Sequence, residues 1–307
     1  MKIAVMGPGG VGGYFGARLA AANHDVTFVG RGAHLEAMRR EGLRLDSEIG
    51  GLKLPVKVAA HAREIGAADA IVFAVKLGDT EHVAEQLQAL VAGGATVFTF
   101  QNGIESAEHI GRLLGAHNVV PGAARINARI SAPGVITQRG PFASLEFGEA
   151  DGAPSARTTA FLAACKGAGI SASLSADISR TLWLKFAMLA PMSGLTALTR
   201  GPIGPVRADP QARQLLEAAV REVVALGMAE DVRLEPADAD AVLKTIDGLH
   251  PAMMASMCHD LLAHKKLEIA GLSGAVVRRG RARGVAVPTH TFITQALSLF
   301  ADGKPQL

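Results

Sequence analysis

The sequence predicts an α/β domain built on a doubly wound parallel sheet, followed by an all-helical domain. Three observations predict it. Short apolar runs of strand-forming residues alternate with helical stretches over residues 1–174. A glycine-rich turn stands directly between the first such run and the first helix. From residue 175 to residue 307 only helical spacing of comparable strength remains. Strands alternating with helices imply a parallel sheet covered on both faces. At about 100–200 residues per domain, 307 residues suffice for two domains that each bury a core.

The elements follow in order. Lys2–Met6 reads as a buried strand, Gly7-Pro8-Gly9-Gly10-Val11-Gly12 as a turn, and the next stretch to about Ala22 as a helix. Asp25–Val29, Ala70–Val75, Thr96–Phe100 and Asn118–Pro121 read as further strands, with an amphipathic helix over Thr80–Val91. Val135–Phe147, interrupted by Gly140-Pro141, reads as a strand pair at an antiparallel edge. A helix over Thr158–Gly167 leads to a last strand near Ile170–Leu174. Beyond that boundary, Asp177–Leu198, Pro210–Met228, Pro236–Thr245 and Pro251–Arg283 show helical spacing, punctuated by Gly and Pro.

Composition narrows the function. A chain 49% hydrophobic and 19% charged is globular rather than disordered. Uninterrupted apolar runs such as Ala70–Val75 fall far below the roughly 18–20 residues of a membrane span. The N-terminus lacks the pattern of a signal peptide, so the expectation is a cytoplasmic protein with no membrane partner. Cys165 and Cys258 form no C-x-x-C pair, and the ten His show no ligand spacing, so neither a disulfide framework nor a metal site is expected. Net charge is only +3, and aromatics are 4% of the chain. The densest basic stretch, Arg278-Arg279-Gly280-Arg281-Ala282-Arg283, reads as the wet face and end of a helix, so no nucleic-acid partner is expected.

The glycine turn carries the chemistry. Alone, G-x-G-x-x-G is a weak signal in a chain with 35 Gly; between a strand and a helix it gains meaning. Gly7 permits the tight turn, Gly9 lets the backbone approach a pyrophosphate, and Gly12 lets helix and strand pack closely. Pro8, Gly10 and Val11 complete the loop, and the helix N-terminus offers unpaired N–H groups to phosphate. The second strand ends in Val29-Gly30-Arg31, without the carboxylate that usually binds an NAD ribose. Arg31 suits a 2′-phosphate through its planar fork, so the expected cofactor is NADP(H). Lys76 and Asn102 stand at the C-terminal ends of two predicted strands, the edge that faces the ligand in open α/β sheets.

These residues, with Gln101-Asn102-Gly103, Leu182-Trp183-Leu184-Lys185-Phe186, Ser256-Met257-Cys258-His259-Asp260, Glu268-Ile269 and the tail Gly274–Pro288, resemble the ketopantoate reductase (2-dehydropantoate 2-reductase) family over nearly the whole chain. The resemblance implies an N-terminal Rossmann-type domain and a helical substrate domain. It also implies NADPH-dependent reduction of a 2-oxo acid to a 2-hydroxy acid, in the family's best-known role a step toward pantothenate and coenzyme A. By the same resemblance Lys185 is the general acid, Ser256 bonds the substrate carboxylate, and Glu268 lies near cofactor and lysine. Asn102 serves both cofactor and substrate. Apolar neighbours around Lys185 favour a lowered pKa, which suits proton donation. Ser256, Asp260, His264 and Glu268 recur every four residues and are expected as a stripe on one helix; the role of Asp260 stays open. Apolar helix faces in the second domain suit a homodimer interface or a domain core equally.

The sequence also departs from the family. Where ketopantoate-reducing members carry asparagines, this chain has Leu189 and Ser193 on the lysine's helix face, Met253 before the serine, and Ile203 in the following loop. Pro191 falls inside that helix, a place for a kink. Fewer amides leave the hydroxyl of ketopantoate fewer partners, which favours a more apolar 2-oxo acid. Two other readings remain: a glycerol-phosphate or opine-type dehydrogenase of the same fold group, and a non-catalytic NADP(H)-binding sensor.

Overall fold

The computed structural model describes residues 1–305. The chain forms two compact units, one of Met1–Gln101 with Ser106–Ile178, the other of Asn102–Glu105 with Ser179–Leu307.

The first unit holds ten strands in one mixed sheet: β1 (Lys2–Met6), β2 (Asp25–Val29), β3 (Leu43–Ser47), β4 (Leu52–Leu54), β5 (Lys57–Ala59), β6 (Ala70–Phe73), β7 (Thr96–Thr99), β8 (Val119–Ala132), β9 (Val135–Phe147) and β10 (Ser171–Leu174). Its helices are α1 (Gly10–Ala21), α2 (Gly32–Glu41), α3 (Thr80–Glu85), α4 (Gln88–Ala92), α5 (Ser106–Leu114) and α6 (Ala156–Gly167). The parallel part runs β5-β2-β1-β6-β7-β8, the strand order of a dinucleotide-binding sheet. The period of two along β1 explains its burial on both faces. Ile3 and Val5 join Phe15 and Leu19 of α1 in one core layer, while Ala4 and Met6 join Leu87, Leu90 and Ile110 in the other. Phe161 of α6 stacks on Phe98 of β7 with ring centroids 4.2 Å apart, closing the first layer.

The structure corrects the reading of residues 118–147. β8 runs on to Ala132, and β9 is one strand that crosses Gly140-Pro141 unbroken, pairing antiparallel with β8 and parallel with β3. It is therefore an interior strand, not an edge pair. The proline is tolerated because the register shifts between Ile126 and Ala128, a bulge where its missing N–H breaks no ladder bond. The short strands β3, β4 and β5 carry no alternation long enough to be read, and the helix expected over Thr80–Val91 is split into α3 and α4.

The second unit is helical: α7 (Ile178–Thr199), α8 (Ile203–Ala208), α9 (Pro210–Ala229), α10 (Ala237–Asp247), α11 (Ser256–Leu262), α12 (Ser273–Arg283) and α13 (Pro288–Leu297). By length and composition α7 is apolar enough to cross a membrane, but 67% of its apolar window is buried inside the protein, as in a core helix. It runs unbroken through Pro191. α9 starts cleanly: Asp209 Oδ1 accepts from the N–H groups of Gln211 (3.0 Å) and Ala212 (2.8 Å), and Pro210 fills the first helical position.

The helix expected over Pro251–Arg283 is broken. α11 ends at Leu262, His264 takes a left-handed conformation (φ 54°), and the Lys265 N–H donates back to the Asp260 carbonyl at 2.8 Å. This is a Schellman-type termination. Ser256, Asp260, His264 and Glu268 therefore do not share a helix face, because the spacing of four was carried across a chain reversal.

A buried polar cluster ties three helices of this unit. Glu222 of α9 accepts from the Thr289 and His290 N–H groups (2.8 and 3.0 Å) at the start of α13. His290 is fully enclosed between Ser273 Oγ (3.0 Å) and the Ala219 carbonyl (3.1 Å). Burial pushes its pKa down to about 4, against the opposing charge of Glu222. The folded chain keeps His290 neutral while the unfolded chain takes up a proton from about pH 6.5 downward. The resulting stability is complete above pH 6.5 and falls by about 3 kcal/mol as pH drops toward 4. Urea denaturation at pH 7.0 and pH 4.5 should show this loss in the wild type and a smaller one in His290→Gln.

Candidate active site

The sheet unit carries the glycine loop. The Gly7 N–H donates to the Val29 carbonyl (3.0 Å), and Gly7 has φ +84°. A Cβ there would lie 2.9 Å from the Ala74 carbonyl and Val75 Cα, so the turn passes hard against the strand end that leads to Lys76. At Gly10 a Cβ would come within 2.1 Å of the Ala128 carbonyl, and at Gly12 within 2.4 Å of the Gly7 carbonyl. At Gly9 it would meet nothing within 4 Å. Three glycines of the loop thus serve packing, and the fourth faces open space. That open backbone at the start of α1, with the helix N–H groups behind it, fits a dinucleotide pyrophosphate.

Three further side chains hold this edge: His34 and Asp79, which the sequence did not point to, and Gln101, which it gave only as part of the Gln101-Asn102-Gly103 motif. His34 bridges the loop to the β8–β9 turn. The Gly134 N–H donates to Nδ1 (3.0 Å), which leaves the ring proton on Nε2 to donate to the Pro8 carbonyl (2.9 Å). Burial lowers the His34 pKa, although the Pro8 bond opposes this, so the neutral bridging form is favoured. Gln101, buried at the end of β7, donates to the Val75 carbonyl (3.0 Å) and Thr80 Oγ1 (2.8 Å), fixing the turn that begins at Lys76. Asp79 lies in the same turn and accepts from Arg31 Nη2 at 2.8 Å. Arg31 remains 81% exposed, at the place expected for a ribose-phosphate contact. A polar residue immediately after a buried strand was the available signal for Gln101; Asp79 and His34 had none, since their partners are distant in sequence.

The helical unit carries the lysine. Leu182, Trp183 and Leu184 precede Lys185, and Phe186 follows it; Trp183 and Phe186 are buried edge-to-face, so α7 is anchored on either side of a half-buried lysine. At the start of α7, Arg180 clamps Asp238 of α10 with two bonds (2.6 and 2.9 Å), which holds that carboxyl below its ordinary range. Lys185 Nζ donates to Asn102 Oδ1 at 3.2 Å. Asn102 belongs to the segment Asn102–Glu105 that groups with the helices, and Ile104 packs on their core. The structure therefore brings together two residues 83 positions apart that the sequence had placed in separate roles.

The remaining candidates are placed as follows. Ser256 is exposed at the first position of α11, and Glu268 is half-buried, leading into the turn Ile269–Gly271. Leu189, one turn after Lys185, is half-buried and packs against the helical core, as does Met253. Ser193 and Ile203 are fully enclosed, and the Ser193 hydroxyl has no hydrogen-bond partner among the described residues. The Ile203 N–H donates to the Met253 carbonyl (2.9 Å), so two of the positions where the resemblance implies asparagine are joined through backbone. Among the four, Leu189 and Met253 retain exposed surface.

The loop geometry separates two glycine variants. Gly12→Ala should lower stability by about 1–3 kcal/mol, because its Cβ meets backbone. Gly9→Ala should keep the wild-type Tm and bind a nicotinamide dinucleotide at least about tenfold more weakly, a loss of about 1.4 kcal/mol. Thermal melts beside fluorescence titrations with NADPH would separate the two effects.

Comparison with known proteins agrees with this layout. Residues 3–152 match the family described as ketopantoate reductase PanE/ApbA, and residues 177–301 match its C-terminal part. A 2-dehydropantoate 2-reductase of Mesorhizobium japonicum is 31% identical over 313 residues, covering 94% of each chain. The crystal structure of a PanE/ApbA family ketopantoate reductase from Ralstonia eutropha JMP134 superposes with a TM-score of 0.90 at 28% identity, covering 98% of both chains. D-Mandelate dehydrogenase, solved with NADH and anilino(oxo)acetate, shares the fold at 22% identity and a TM-score of 0.89, again over 98% of both chains. A glycine loop built for a dinucleotide, a lysine paired with an asparagine, and matches that span both units have one reading: the chain belongs to the ketopantoate reductase PanE/ApbA family.

Proposed function

We propose that this chain is an NADPH-dependent reductase that converts a 2-oxo acid to a 2-hydroxy acid, with 2-dehydropantoate (ketopantoate) as the first candidate substrate and pantothenate formation as its setting. The observation that carries this reading is the Lys185–Asn102 hydrogen bond, which supports a lysine oriented for proton donation. A bound nicotinamide supplies the hydride for the carbonyl carbon. Lys185 Nζ delivers a proton to the carbonyl oxygen, where negative charge develops. Asn102 Oδ1 takes one of the three ammonium protons and so limits the directions in which the others point. In this reading Ser256 would offer a hydroxyl to the substrate carboxylate, and Glu268 would act beside the cofactor and the lysine.

Gly7, Pro8, Gly9, Gly10, Val11 and Gly12 would hold the pyrophosphate, with Arg31, Lys76 and Asn102 along the rest of the dinucleotide. The Arg31–Asp79 pair bears on the choice of NADPH. An exposed ion pair is worth about 0–1 kcal/mol, so a 2′-phosphate can take the guanidinium from Asp79 at small loss.

A second reading concerns the substrate alone. Leu189 and Met253 present hydrocarbon where an amide would bond a substrate hydroxyl, which favours a branched, apolar 2-oxo acid over ketopantoate. Following NADPH absorbance against ketopantoate and a series of branched apolar 2-oxo acids tests both. Wild-type turnover should fall by about 10²–10⁴-fold in Lys185→Ala. A kcat/KM for ketopantoate orders of magnitude above the apolar acids would remove the second reading. Tight NADPH binding with no turnover of any 2-oxo acid would overturn the first in favour of a nucleotide-binding sensor.

A further inference from the structure

The arginine row at the end of α12 reads in the sequence as a solvated helix face. The structure gives its first member a different setting. Arg278 Nη2 donates to Glu105 Oε2 at 2.7 Å, and Arg278 Nη1 donates to the Ala270 carbonyl at 2.8 Å. Glu105 ends the segment that begins with Asn102, and Ala270 lies in the turn Ile269–Gly271 that Glu268 leads into. One guanidinium thus grips the chain three residues beyond Asn102 and two residues beyond Glu268.

The grip is built. Glu105 is only 17% exposed, and its other carboxylate oxygen lies 3.9 Å from Arg279 Nη1. Arg279 is in turn fixed on Glu230, the C-cap of α9, by Nε (3.0 Å) and Nη2 (2.7 Å). Burial works to raise the Glu230 pKa, and the bonds and charge of Arg279 and Arg283 outweigh it, so the carboxylate is held below its usual range. Gly274 leaves room for the arrangement: a Cβ there would lie 3.0 Å from the Ile269 carbonyl and 3.5 Å from Arg278 Nη1.

We propose that Arg278 is a positioning residue that sets the segment presenting Asn102 to Lys185 against the turn presenting Glu268. This rests on the reductase reading above. The planar fork of arginine suits the task, because its two donors keep a fixed angle that a lysine ammonium lacks. The magnitudes separate positioning from mere stabilisation. A 55% exposed arginine in an ion pair adds about 0–1 kcal/mol to folding. Loss of an outer-layer positioning contact costs activity about 10–100-fold.

The test compares wild type, Arg278→Met, Arg278→Lys, Glu105→Gln, the Glu105→Gln/Arg278→Met double variant and Arg283→Met, whose guanidinium bonds Glu230 rather than Glu105 or Ala270. With NADPH and the 2-oxo acid that wild type turns over fastest, kcat should fall about 10–100-fold in Arg278→Met while the Kd for NADPH stays within about twofold. Arg278→Lys should recover only part of the loss, the double variant should be no worse than the worse single one, and Arg283→Met should match wild type. A kcat in Arg278→Met within about twofold of wild type, or losses that simply add in the double variant, would overturn the proposal. Crystal structures of wild type and Arg278→Met decide the matter without turnover. The proposal requires the Lys185–Asn102 contact and the 269–271 turn both to shift in the variant, and fails if they stay in place. Absence of 2-oxo acid turnover in wild type would sink the reductase reading alone, leaving those structures to judge the clamp.

Discussion

The N-terminus of a helix serves a phosphate only when the helix lies hard against the sheet that orients it. In this chain that approach is set by backbone contact. A methyl at Gly10 or Gly12 would overlap carbonyl oxygens, and one at Gly16 would lie 2.6 Å from the Phe28 ring. The seven buried residues of α1 follow from this proximity, as does the layer of Phe15, Leu19 and Phe161 beneath the parallel strands. The tight seating leaves Gly9 as the open point of the loop, with His34 and Gln101 fixing the segments on either side. The open edge of the loop is thus a by-product of how closely α1 can pack.

The helical unit solves a different problem. Its helices bury long apolar faces, which pack tightly but discriminate poorly between neighbouring registers. Charged and polar pairs supply the missing specificity at defined points: Arg180 on Asp238, Glu222 on the first amides of α13, Arg279 on Glu230. Each joins two elements and leaves few donors or acceptors unanswered. Of these, Arg180 on Asp238 fixes the start of α7, the helix on which Lys185 meets Asn102. Under the proposed function Lys185 would depend on that placement, since a misplacement of about 1 Å costs about a hundredfold in rate.

The four positions at which the family resemblance implies asparagines fall into two groups in the structure. Ile203 and Ser193 are absorbed into the core, while Leu189 and Met253 keep hydrocarbon at the surface of the helical unit. Apolar side chains add van der Waals contact and remove fixed directions for hydrogen bonds, so discrimination passes from polar geometry to shape and volume.

What the sequence by itself determined is local and periodic. The apolar run within Lys2–Met6 and the glycine spacing after it specify a buried strand, a tight turn and a close-packed helix, because each depends on neighbours within a few residues. The helical character beyond residue 175 was legible for the same reason, and the resemblance to a family added Lys185, Ser256 and Glu268. The tertiary structure decided the rest. A spacing of four could not reveal that α11 ends at Leu262, because the reversal at His264 is a matter of backbone conformation. Nor could the breaker Gly140-Pro141 reveal an unbroken strand, since a bulge against β8 absorbs it. The contacts that orient the lysine join residues 83 positions apart, and those that clamp the arginine join residues 173 apart. Such pairings carry no periodic trace; they exist only once the packed helices have brought distant charges within reach.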